Sequence, residues 1–180
     1  AEANIVTSCC MVEACVRCRR LDKARQIFEE MRSQGGHRST VLYCIVIKGY
    51  GLESDPESAM ELFREMQAEG VPYNTVTYNA MLDVCVGCGD LAGAQGLMRE
   101  MMAAAPESEV QPDLISFSTL LKGYCHYGDL DMAFQVAEAI RARGLRPDEL
   151  VYKTLIGACI RHDDIPAALG LLEEMLADGI

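Results

Sequence analysis

The chain has 180 residues, half of them apolar and 24% charged, a balance that supports a folded protein and excludes a disordered tail. Sixteen Lys and Arg against twenty-seven Asp and Glu leave a net charge of −11, which excludes nucleic-acid binding through bulk positive charge and requires any such function to rest on locally placed cations. No apolar run approaches the ~18 residues of a membrane span, and Arg17, Arg19 and Arg20 follow the first apolar stretch, the reverse of a secretory signal. The chain opens at Ala1 without a methionine, and an upstream segment such as a removed targeting peptide is expected.

The chain repeats itself. Phe28-Glu29-Glu30-Met31, Phe63-Arg64-Glu65-Met66, Met98-Arg99-Glu100-Met101 and Leu172-Glu173-Glu174-Met175 are variants of one phrase. Met31, Met66 and Met101 are 35 residues apart, Ile140 follows after 39, and Met175 after 35 again. Alanines 24, 59, 94, 133 and 168 keep the same steps, as do Tyr43, Tyr78, Phe117 and Tyr152. Five units follow: 5–39, 40–74, 75–113 with an insertion near 103–109, 114–148, and an incomplete 149–180.

Taken in chain order, each unit predicts two amphipathic helices. The first unit carries Ala24 and its Phe28 phrase in the second helix. In the second unit, Pro56 sits in the first turn of the second helix, where a missing N–H costs little, and Gly70 ends that helix. The third is clearest: Tyr78, Met81, Leu82 and Cys85, then Leu91, Ala94, Leu97, Met98 and Met101, keep helical spacing on either side of a Gly89-Asp90 break. Pro112-Asp113 closes it. The fourth repeats the plan with Gly128-Asp129, Gly144 and Pro147-Asp148, and the fifth with Asp163-Asp164, Pro166 and Gly179. No useful β-alternation appears. Alanine at one slot in every unit implies close approach of the two helices. One hairpin cannot cover its own apolar stripes, but stacked neighbours can, each buried Leu or Met contributing roughly 1.5–3 kcal/mol. Neither end reads as a polar cap, so flanking repeats or a partner protein are expected there.

A 35-residue two-helix period with Tyr78-Asn79 near its start, a Gly89-Asp90-Leu91 break and Pro112-Asp113 at its close resembles the pentatricopeptide repeat family, over nearly the whole chain. The tetratricopeptide repeat has a period of 34 and expects a Trp that this chain lacks. The resemblance implies an all-α, right-handed solenoid of about five helix-turn-helix repeats. It also implies binding of single-stranded RNA in a concave groove, one base per repeat, for organellar RNA processing, stability or translation in a chloroplast or mitochondrion. In this family the residue after the aromatic and the last residue of the repeat read the base. The implied pairs are Cys9 with Ser39, Cys44 with Asn74, Asn79 with Asp113, Ser118 with Asp148, and Lys153 with a partner beyond the chain. Asn79 with Asp113 matches the family's uracil-reading combination, and Ser118 with Asp148 resembles its guanine-reading one. Val6, Val41, Val76, Ile115 and Leu150 are the implied base-stacking residues. Cys9 and Cys44 depart from the pattern, since a thiol hydrogen-bonds poorly, and Lys153 suits a phosphate better than a base. Asn, Ser or Asp at these places also fits ordinary helix capping.

Over the presumed inner helices, Arg17, Lys48, Lys122, Lys153 and Arg161 face Glu13, Glu53, Asp83 and Glu149. The acidity therefore lies on second helices and loops, about 20 Å from a bound phosphate given a helix diameter of about 10 Å, beyond two screening lengths of about 8 Å. A nearly balanced inner face predicts weak affinity from this segment alone. The rival reading is a subunit making protein contacts in a large organellar assembly, motivated by the acidic balance, the two cysteine readers and the uncapped ends.

Nine cysteines in odd number, mostly within apolar stretches, point to packing in a reducing compartment. Cys15-Val16-Arg17-Cys18 and Cys85-Val86-Gly87-Cys88 fall at one register two hairpins apart, roughly 16–20 Å at ordinary helix spacings, too far to share a zinc ion bound through sulfurs at about 2.3 Å. His37, His126 and His162 stand apart and none begins a deaminase-type zinc motif. Asp163-Asp164 reads as a helix start. No catalytic residue, metal, cofactor or membrane insertion is expected.

Overall fold

A computed structural model describes residues 5–33, 39–105 and 107–180; of the residues named above, Ala1 and His37 lie outside these. The described residues form ten helices and no strand: α1 (Ile5–Arg17), α2 (Leu21–Ser33), α3 (Thr40–Leu52), α4 (Pro56–Ala68), α5 (Thr75–Gly87), α6 (Leu91–Ala103), α7 (Leu114–Tyr127), α8 (Leu130–Ala142), α9 (Glu149–Arg161) and α10 (Ile165–Ala177). Odd-numbered helices are the first of each pair and even-numbered ones the second.

Local chemistry sets the boundaries. Asp55, Asp90, Asp129 and Asp164 accept hydrogen bonds from the backbone N–H of Ser58, Gly93, Met132 and Ala167, capping α4, α6, α8 and α10. Pro56 and Pro166 fall within the first turn of α4 and α10. The turn inside each pair holds one left-handed residue at a fixed register: Arg19, Ser54, Gly89, Gly128 and Asp163. Glycine takes that conformation without steric cost, which explains the Gly-Asp signature in the third and fourth pairs.

Packing then builds the curve. The repeated alanines 24, 59, 94 and 133 are fully buried and Ala168 nearly so. Phe28 meets Tyr43, and Phe63 meets Tyr78, edge to face at 5.0 Å, joining a second helix to the next first helix. Leu172, at the register of buried Phe28, Phe63 and Met98, is 44% exposed. Each first helix packs on the next, α1 on α3, α3 on α5, α5 on α7 and α7 on α9. Among the described residues no second helix packs on the next second helix. The tightly spaced layer must lie on the inside of the bend, so the first helices form the concave face. A methyl group on Gly123 would come within 2.9 Å of Leu91 in α6 and 3.0 Å of Val86 in α5, which shows how closely α7 packs on the preceding pair.

The splayed outer layer is bridged by charge. Arg32 reaches Glu65 at 3.2 Å and Glu69 at 2.5 Å, Arg64 reaches Glu100 at 2.7 Å, and Arg141 pairs with Glu174. These pairs are partly exposed and each contributes about 0–1 kcal/mol, so the buried apolar layer carries the stability.

Candidate nucleic-acid interface

The second residue of every first helix is aliphatic: Val6, Val41, Val76, Ile115 and Leu150. All five are exposed within a narrow band, 60–67%. A helix in a packed layer normally turns its β-branched and Leu side chains inward, and five of them exposed at one register form a row. Val41 also lines a groove of about 630 Å³ together with Val16, Ile45, Lys48, Leu52 and Val84. Every residue lining that groove comes from α1, α3 or α5, so it opens on the concave face.

One helical turn further along lie Cys9, Cys44, Asn79, Ser118 and Lys153. Their surroundings differ from unit to unit. The Asn79 amide Nδ2 donates to Asp113 Oδ1 at 3.1 Å. The Ser116 hydroxyl, fully buried, lies 2.6 Å from Asn79 Oδ1 and 2.9 Å from Asp113 Oδ1, with its one proton serving both acceptors. Asp113 also accepts the Ser116 N–H at 2.9 Å as cap of α7, and Ser116 Oγ accepts the Asp113 N–H at 3.2 Å. Burial alone would raise the Asp113 carboxyl, but the hydrogen bonds from Ser116, Asn79 and the Ile115 backbone outweigh it and hold it below the ordinary carboxylate range. The cluster is thus fixed in orientation. Beyond these bonds the Asn79 amide has a second proton and the Asp113 carboxylate a second oxygen, a donor and an acceptor.

The other pairs are looser. Cys44 meets Thr77 rather than Asn74, its Sγ lying 3.9 Å from Thr77 Oγ1. Asn74 is occupied in capping α5, accepting from the N–H of Val76 and Thr77 at 3.0 and 3.3 Å. Cys9 is hydrogen-bonded to Ser39, and burial raises its thiol pKa against the opposing effect of that bond. Ser118 and Asp148 are not joined: Ser118 donates to the Ile115 carbonyl at 3.1 Å, and Asp148 caps α9 by accepting from Val151 N–H at 2.9 Å. Val151 occupies the register of Thr77 and Ser116, so the hydroxyl that would tie this pair is absent. Lys153 pairs with Glu149 at 2.6 Å. The residue missed from sequence is Ser116. Its signal was available in the Asp113-x-x-Ser116 spacing of a capping box, matched by Asn74-x-x-Thr77.

Of the inner-face cations, Arg17 pairs with Glu13 at 3.2 Å and Arg161 donates to the Cys125 carbonyl at 3.1 Å. Lys48 and Lys122 are exposed and make no ion pair among the described residues. All nine cysteines are free. Burial pushes the Cys85 thiol up to about 12 and Cys125 to about 11, which keeps both protonated and inert at neutral pH. Among the described residues no three His, Cys, Asp or Glu side chains gather as a metal site would require, and no helix is long and apolar enough to cross a membrane.

Fold and site together define a helical-repeat scaffold with a row of equivalent exposed side chains on its first helices. The family profile described as the pentacotripeptide-repeat region of PRORP matches residues 3–164, and the PPR repeat profile matches 150–180. The chain belongs to the pentatricopeptide repeat family. It is similar to pentatricopeptide repeat-containing protein At5g10690 of Arabidopsis thaliana, 28% identical over 96% of this chain and 30% of that one. It is also similar to the Arabidopsis small ribosomal subunit protein mL103 (rPPR7), 24% identical over 93% of this chain and 40% of that one. Other Arabidopsis relatives are a chloroplastic and a mitochondrial pentatricopeptide repeat-containing protein, 33% identical over 49% and 34% identical over 37% of this chain. The chain spans less than half the length of each of these relatives. Among solved structures, maize PPR10 aligns with TM-score 0.85 at 24% identity, over 98% of this chain and 25% of that one. PPR10 in complex with an 18-nt psaJ RNA element gives 0.82 over 97% and 25%. The PPR domain of Arabidopsis PRORP1 in complex with tRNA gives 0.72 at 21% identity, over 92% and 85%. At these identities the structural matches establish the fold.

Proposed function

We propose that this chain forms one solenoid domain, its five units divided at 39, 74, 113 and 148, that binds single-stranded RNA along its concave row and performs no catalysis itself. The observation that carries the reading is the exposed line of Val6, Val41, Val76, Ile115 and Leu150, spaced one per unit. Bases present apolar faces that such side chains can support, and one base per helical repeat is an established mode of RNA recognition. PPR10 and PRORP1, which share the fold, were each solved with RNA. At the third unit, the second Asn79 amide proton and the second Asp113 oxygen would complement a uracil edge, which offers a carbonyl beside an N–H. Ser118 with Asp148 would read the next base, guanine, with less discrimination because the two are not preorganised. Cys9 with Ser39 and Cys44 with Asn74 add contact with little selectivity, and Lys153 would meet a phosphate. The relatives named as chloroplastic and mitochondrial support an organellar setting.

The test is a titration at fixed salt. RNA with U followed 3′ by G against units three and four should bind more tightly than the same RNA with C and A, and Asn79→Thr should shift the preference at the first base. Equal affinity for all sequences removes base reading. The similarity to a ribosomal protein supports a second reading, a scaffold within an organellar assembly. Elution of the native protein only in a stoichiometric protein complex, unaffected by RNase, would select it.

A further inference from the structure

The charge of this molecule is not spread along the solenoid. Residues 5–39 hold seven Lys or Arg against four Asp or Glu, whereas 40–74, 75–113 and 149–180 each hold six acidic residues against at most two basic ones, and 114–148 is balanced at four each. An acidic chain therefore carries one basic end. Within it, Arg17, Arg19 and Arg20 crowd the turn between α1 and α2, with Lys23 one helical turn beyond, and all four are exposed.

This turn adjoins the concave groove. Arg17 lines the 630 Å³ groove, and Arg19 donates from Nη1 to the carbonyl of Leu52 at 3.1 Å, Leu52 being another lining residue. The turn is thereby held at the groove's margin. Arg17 pairs with the exposed Glu13, and among the described residues Arg20 and Lys23 make no ion pair. The reading positions of the same end, Cys9 and Cys44, are the ones least able to distinguish bases. The third unit is the reverse: it has a preorganised reader in Asn79, Asp113 and Ser116, but its one cation, Arg99, sits on the outer helix α6.

We infer that Arg17, Arg19, Arg20 and Lys23 form an RNA phosphate-binding site at the first turn, so that the first hairpin anchors the nucleic-acid backbone and the third and fourth units select its sequence. The inference rests on the RNA reading above and divides its labour: affinity and salt dependence at one end, discrimination further along. Phosphate contacts are independent of sequence and release counterions, giving a slope of log affinity against log salt of about −0.7 for each contact on a single strand. Base contacts leave that slope nearly unchanged.

The experiment follows from this separation. A fluorescently labelled single-stranded RNA carrying U-G is titrated across a range of salt against the wild type, an Arg17→Gln/Arg20→Gln/Lys23→Gln variant, and an Arg99→Gln/Arg143→Gln/Arg146→Gln variant that loses the same charge elsewhere. Arg19 is left intact because of its bond to Leu52. The first variant should flatten the slope by about 2 and keep the ratio of U-G to C-A affinity; the control should keep both. Arg20→Gln/Lys23→Gln, which spares the Arg17 to Glu13 pair, should flatten the slope by about 1.4. Equal slopes in the first variant and the control overturn the site, and would be the result if the patch instead served an acidic protein. Failure of the wild type to bind RNA at low salt removes the RNA reading itself, whereas RNA binding with equal slopes removes only the anchor.

Discussion

Ser116 is small, fully buried and central, since a single hydroxyl faces the side chains of Asn79 and Asp113 across two units. Ser116→Ala removes its part of the capping box and leaves Asn79 Oδ1 without its donor. The expected loss is about 1 kcal/mol of stability in urea denaturation, with a weakened preference for uracil over cytosine in the same protein. Val151→Ser is the converse test and should sharpen selection at the Ser118 and Asp148 pair. The sign of the pH response at Asp113 is fixed by its lowered pKa. Its stabilising contribution is fully present above the ordinary carboxylate range and disappears as pH falls through the folded value below it. Denaturation midpoints should therefore be insensitive to Asp113→Asn in acid and separate from wild type as pH rises to neutral. Asn79 and Asp113 were legible in the sequence because each stands at a fixed register. Of Ser116, only the capping part was legible, in its spacing from Asp113; its bond to Asn79 was not, because that depends on α5 and α7 lying side by side.

At the scale of helices, the two glycines Gly96 and Gly123 separate propensity from packing. A methyl group on Gly96 of α6 meets nothing within 4 Å, whereas one on Gly123 of α7 presses on Leu91 and Val86. Gly96→Ala should raise stability by up to about 1 kcal/mol through helix propensity. Gly123→Ala should lower it, because overpacking typically costs about 1–3 kcal/mol. Thermal denaturation of the two variants beside wild type reads the difference directly. The breaks between paired helices were legible because their chemistry is local: Gly89-Asp90 and Gly128-Asp129 combine a left-handed stop with an N-cap. Arg19 and Ser54 take the same left-handed conformation without glycine, so those turns carry no such signature. The curvature was equally hidden. It arises from which helices touch across units, with Phe28 on Tyr43 and Phe63 on Tyr78, and no single unit encodes it.

For the whole molecule, the arrangement reconciles net acidity with the RNA binding proposed above. The carboxylates of α4, α6 and α10 lie on the outer layer, where Glu65, Glu69, Glu100 and Glu174 are engaged by Arg32, Arg64 and Arg141. The inner layer keeps its aliphatic row and a few cations. That row is the central claim, and exposure makes it separable from folding, because trimming a side chain already in water removes little buried area. The decisive measurement compares Val41→Ala/Val76→Ala/Ile115→Ala with wild type for both thermal midpoint and affinity for U-G single-stranded RNA at fixed salt. The account expects a nearly unchanged midpoint and an affinity lower by roughly tenfold or more, about 1.4 kcal/mol. Unchanged affinity, or a loss of affinity accompanied by an equal loss of stability, would contradict it.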